Sequence, residues 1–218
     1  SYTEALQVDA EKSFWAVAER QLRRSNLFDG REPEFVNFGV SGYGTAQELL
    51  TLRSRVWKYD PDLVLVAFCH NDIQDNSRDL GGGETRPYFL LRDDELHLDK
   101  SFLKSAGYLT ALTRYEKTKA QVVNMSYMLQ VLKQTKRRWH LQRERPEKSN
   151  PHFEDTGSDF NVYEAPRTPV EKAAWNITER LILEIRADAM KKRAKFGLIT
   201  VTTPLQVHPD SELRRQAT

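Results

Sequence analysis

Residues 63–68, Leu-Val-Leu-Val-Ala-Phe, contain no polar position, the pattern of a parallel strand covered on both faces. Residues 34–40 alternate less cleanly but read as a second, shorter buried strand, set off by Asp29-Gly30. Between them Thr45-Ala-Gln-Glu48 has the form of a capping box. It predicts a helix that turns Leu49, Leu50, Leu52 and Val56 to a core and stops at Asp60-Pro61. Strand, capped helix and strand make a βαβ unit. Upstream, Asp9 is placed to cap a helix running to about residue 26, with Phe14, Trp15, Ala18 and Leu22 at helical spacing. Downstream, Thr168-Pro169-Val-Glu171 offers an N-cap, Pro at the first helical position and an acid at the third. It opens a long helix to about residue 194, followed by a parallel-type strand over 197–203.

The segment from about 84 to 165 breaks this alternation. Residues 86–91 and 95–98 read as a hairpin around Asp93-Asp94. Residues 102–145 follow a helical pattern, and a polar loop spans 150–166. Residues 114–148 hold ten Lys and Arg against three Asp and Glu, an excess of seven positive charges, so this stretch reads as an inserted basic helical arm. Tyr127 and Trp139 lie within it without the regular interleaving of a nucleic-acid groove.

Composition narrows the classes. At 218 residues, one domain with an insertion is expected. A net charge of +2 argues against a nucleic-acid partner. Cys69, the single cysteine, excludes an internal disulfide, and no run of 18 apolar residues marks a membrane span. Compartment and membrane contact are left open. No histidine pair has metal-ligand spacing, so neither metal nor other cofactor is expected.

Chemistry is concentrated at two strand ends and at the start of the chain. Asn37-Phe-Gly-Val-Ser-Gly42-Tyr-Gly-Thr45 and Asn71-Asp72 each follow a strand-like run, where ligands sit in open α/β sheets. A glycine amide can approach a ligand closely, and an asparagine carboxamide can donate without bringing a charge. Together with the opening Ser1-Tyr-Thr-Glu-Ala-Leu-Gln-Val8, these pieces resemble the first three sequence blocks of the SGNH (GDSL-type) hydrolases. The resemblance covers residues 1–8, 35–50 and 61–76, and more weakly 199–207.

That resemblance implies a three-layer, flavodoxin-like α/β fold with a parallel sheet, spanning 1–218 as a single partial domain. It implies Ser1 as nucleophile and Gly42 and Asn71 as oxyanion donors. The substrate class would be small-molecule or carbohydrate esters carrying an acyl or acetyl group. Two departures are visible. His70 stands where the family has glycine, and the family's Asp-x-x-His does not follow the last core strand: Asp94-Glu-Leu-His97 has that spacing but lies in the hairpin, far upstream of it. His208 follows its strand too closely to replace it. The fold is therefore expected to be incomplete at both ends, with the first strand before Ser1 and the base beyond Thr218, and the 218 residues alone to be essentially inactive. Asp72 and Asp75 are read as loop-organising residues and Cys69 as a small buried one. A non-catalytic SGNH-like binding module, favoured by His70, and an acyltransferase are the alternatives.

Overall fold

The computed structural model describes residues 3–5, 8–25, 27–28, 30–81, 85–112 and 165–201. The chain divides into two compact units, one made of residues 1–82, 87–99 and 160–218, the other of 83–86 and 100–159.

The first unit is mixed α/β. After a single turn at Ala10–Lys12 comes α1 (Phe14–Arg23). The helix expected to run unbroken from Asp9 is thus interrupted. Ser13 is extended (ψ 148°) and buried, its hydroxyl donating to the Ala10 carbonyl, and Asp9 pairs with Lys12 instead of an amide. Helix α2 (Thr45–Ser54) buries Ala46, Leu49 and Leu52, as its apolar spacing predicts, and Leu50 and Val56 pack against the same cluster. Strand β1 (Leu63–Cys69) leads straight into α3 (Asn71–Asn76) and α4 (Arg78–Gly81).

The hairpin consists of β2 (Tyr88–Arg92) and β3 (Glu95–Asp99) in antiparallel register, Arg92 opposite Glu95. Its two turn residues, Asp93 and Asp94, both have positive φ (50° and 62°), as a two-residue type I′ connection demands. In the second unit, α5 (Ala106–Ala111) starts at Ser105, whose hydroxyl accepts the Tyr108 amide. The basic arm over 114–148, with Tyr127 and Trp139, and the loop up to residue 164 lie outside the described residues, as does His208.

Back in the first unit, α6 (Pro169–Lys191) opens on the expected capping box. The Glu171 amide donates to the Thr168 hydroxyl and the Thr168 amide to the Glu171 carboxylate. It ends as Arg193 enters the left-handed region (φ 63°) and delivers β4 (Lys195–Val201) alongside β1, parallel and in register from Leu63 opposite Lys195 to Cys69 opposite Val201. One core joins Ala46, Leu49 and Leu52 of α2, Val66 of β1, Phe89 of β2, and Leu181 and Ile185 of α6.

Two strand expectations change. Residues 31–40 form no strand and join no sheet among the described residues. Side chains take their polar groups instead: the Phe35 amide donates to Glu19, the Gly39 amide to Asn37 and the Ser41 amide to Glu4. The partner of β1 is consequently β4, not 34–40. Nor is β1 covered on both faces. Val66 is buried, whereas Leu63 and Leu65 are 46% and 43% exposed on the opposite face.

Candidate active site

The glycine loop is a tight turn, with the Tyr43 amide donating to the Val40 carbonyl at 3.1 Å. Gly42 takes the third position at φ +81°, a conformation that side chains other than glycine's resist. Residues 3–5 are tied to this loop. Thr3 offers its carbonyl to Asn37 Nδ2 (2.7 Å) and Trp15 Nε1 (3.2 Å), and Glu4 accepts the Ser41 amide; hydrogen bonding from the Ser41 side chain, and then from that amide, holds the Glu4 carboxyl below the usual carboxylate range. Contact is close enough that a Cβ added at Gly39 would come within 2.6 Å of Thr3 Cβ. Ser1 itself lies outside the described residues.

The start of α2 differs from the expected capping box. The N-cap is Gly44, not Thr45, and the returning side chain is Gln47, whose Oε1 accepts the Gly44 amide at 3.0 Å. Gln47 Nε2 also donates to the Pro87 carbonyl. The glycine loop lets the chain become helical one residue early, so Glu48 falls at the fourth helical position, past the reach of the cap. Its Oε2 is buried and has no hydrogen-bond partner. Burial, followed by the nearby Asp72 carboxyl, pushes Glu48 up to about 8.

At the end of β1, Asn71 begins α3 and is exposed, with Nδ2 donating to Asp75 Oδ2 at 2.9 Å, one turn along. The second N–H of that carboxamide has a direction set by this bond. Asp72 is 4% exposed and accepts the Cys69 amide at 2.9 Å, closing the turn out of β1. Burial raises its carboxyl to about 7. Cys69 is buried, and burial raises its thiol as well. His70 is half-buried, and burial lowers its imidazole.

Gly42 and Asn71 line one cavity of about 40 Å³, with Thr3, Glu48, Cys69 and Asp72 also in its wall. The structure thus brings together two of the three sequence-nominated residues, and the third precedes a lining residue by two positions. His70 is not among the lining residues. Asp72 has the loop-organising bond expected of it, and Asp75 engages Asn71. The sequence pattern presents Glu48 only as a cap. The signal that could have found it was Gln47, which makes a second capping box from Gly44 and moves Glu48 one position inward. Among the described residues no three His, Cys, Asp or Glu side chains are grouped to hold a metal ion, and no helix is long and apolar enough to cross a membrane.

Comparison of the chain with protein-family models, with curated proteins and with solved structures finds no match.

Proposed function

We propose that the chain is part of a serine ester hydrolase of the SGNH type, with the three-layer parallel-sheet fold of that family. It would release an acyl or acetyl group from a small-molecule or carbohydrate ester. The observation that supports this most is the common cavity of Gly42 and Asn71, residues far apart in sequence that the resemblance names as oxyanion donors. The tie between residues 3–4 and the glycine loop supports Ser1 as the third member.

In this reading the Ser1 hydroxyl attacks the ester carbonyl, and negative charge develops on its oxygen. The Gly42 amide and Asn71 carboxamide stabilise that charge in a partly enclosed site; the ester C–O bond then breaks, the alcohol leaves with the proton taken from Ser1, and water cleaves the acyl-enzyme to release the acid and restore Ser1. The base in this reading is the histidine of an Asp-x-x-His motif downstream of the last core strand; the motif at Asp94–His97 lies in the hairpin instead. A fluorophosphonate probe applied to the full-length protein is expected to modify Ser1, located by peptide mass spectrometry, and Asn71→Ala is expected to lower kcat about a hundred- to a thousandfold. A folded protein that leaves Ser1 unmodified would refute the assignment.

His70 in the place of the family's glycine favours a second reading, a module that binds an ester without turning it over. Acyl transfer to an alcohol is a variant of the first reading. Product analysis with and without an alcohol acceptor separates these outcomes.

A further inference from the structure

Glu48 is the one carboxyl in the cavity wall with a buried oxygen that nothing satisfies. Of the other polar side chains in the wall, Asn71 bonds Asp75 and Asp72 bonds the Cys69 amide. A buried polar atom without a partner is costly, so one that faces a cavity is a candidate to bond whatever occupies it. The cavity's about 40 Å³ exceeds the ~10–15 Å³ that a single water requires, so a small polar group can enter.

Charge decides what kind of group. Among the described residues no Lys, Arg or His lines the cavity. The acids in and around it are Glu48 from α2, Asp72 and Asp75 from α3, and Glu4 from the opening segment, with the Cys69 thiol at the end of β1. These carboxyls disfavour an anionic group, although the chain's amino group is near enough to lower Glu48 and Asp72 slightly against the effect of burial. With Glu48 pushed up to about 8 and Asp72 to about 7, both carboxyls are largely or substantially protonated at pH 6.5, when each offers a donor and an acceptor. A hydroxyl is the small neutral group that answers both.

We infer that Glu48 is a ligand-contacting, specificity-determining residue of the Gly42–Asn71 cavity, where its carboxyl hydrogen-bonds a hydroxyl of the bound ester and so selects hydroxylated esters over plain alkyl esters. This rests on the ester-hydrolase reading, because it takes the cavity as the place where the ester sits. A site that hydrogen-bonds a substrate hydroxyl discriminates strongly against the analogue without it, since the site's own polar group is then left unmet.

The test is binding to this chain at pH 6.5, measured by calorimetry with glycerol monoacetate and with propyl acetate. Glycerol monoacetate is expected to bind at least about tenfold more tightly. Glu48→Met, similar in size but unable to donate or accept strongly, should bring the two affinities together. Glu48→Gln, which still donates and accepts, should keep most of the preference. A measurement that needs no substitution accompanies these: the Glu48 carboxyl carbon, followed by NMR in glutamate-labelled protein, should shift on adding glycerol monoacetate and not on adding propyl acetate. An equal preference in wild type and Glu48→Met, no preference in wild type, or an unmoved carboxyl signal would overturn the inference. Because binding is read without turnover, the two ideas fail separately. Unlabelled Ser1 with a Glu48-dependent preference removes the hydrolase alone, and labelled Ser1 with a Glu48-independent preference removes only this role.

Discussion

The side-chain oxygen of Asn76 accepts the backbone amide of Ala46 at 2.9 Å, fastening the last residue of α3 to the first turn of α2. One of the amides that a helix start leaves without an intrahelical partner is met in this way by a side chain from across the unit. Asn76 is fully buried. Its Nδ2 donates to the Thr178 hydroxyl (3.0 Å), which in turn donates to the Ala174 carbonyl. Because Asn71 begins α3 and the glycine loop ends at α2, this bond sets the distance between the two proposed oxyanion donors.

Asn76→Ala is expected to cost about 1–3 kcal/mol, the penalty for leaving buried polar groups unmet, with a further contribution from the small cavity it leaves. Urea unfolding of the variant and wild type would measure it, and a loss below about 0.5 kcal/mol would show that the network is slack.

The two loop glycines should fail for different reasons. A Cβ at Gly44 would lie 2.9 Å from Asp75 Cβ and 3.0 Å from Asn76 Oδ1, so Gly44→Ala must displace α3 and is expected to cost about 1–3 kcal/mol. At Gly42 there is open space but a positive φ, so Gly42→Ala should cost roughly 1–2 kcal/mol from backbone strain, with α3 unmoved. Amide chemical shifts of Asn71 and Asp72 distinguish the cases, changing in the first variant and staying near wild type in the second.

Stability should fall with rising pH through the neutral range. Glu48 and Asp72 go from ordinary values of 4.5 and 3.8 to about 8 and about 7 in the folded protein, which therefore holds their protons longer than the unfolded chain does. Their contribution is complete below the ordinary values and is lost as pH climbs to the folded ones. Glu48→Gln removes its share. Relative to wild type, the variant should gain stability between about pH 4.5 and 8, by on the order of a few kcal/mol, and then level off. Urea midpoints at pH 5 and pH 8.5 provide the check, and an equal wild-type-to-variant difference at both would contradict the assigned burial.

Thr168→Ala takes away the hydroxyl that accepts the Glu171 amide at 3.2 Å and should destabilise α6 by about 1 kcal/mol. Thr168→Ser, which keeps the acceptor, should lie within a few tenths of a kcal/mol of wild type, read by thermal unfolding.

What the sequence determined alone is local and periodic. The apolar run at β1, the leucine spacing of α2, the capping box at Thr168 and the two-aspartate turn of the hairpin each depend on neighbours within a few residues, so each could be read from the chain. So could the nomination of Gly42 and Asn71, although not the fact that they share a cavity. Tertiary structure decided the rest. Residues 34–40 have a strand-like pattern, yet Glu4, Glu19 and Asn37 supply the bonds that a neighbouring strand would have made. Glu48 has the composition of a surface cap, but the cap is at Gly44, and in the folded chain its carboxyl is buried near Asp72. Periodicity records which face of an element is apolar. Whether a polar atom on that element meets water, a partner or neither depends on segments that only folding brings alongside it.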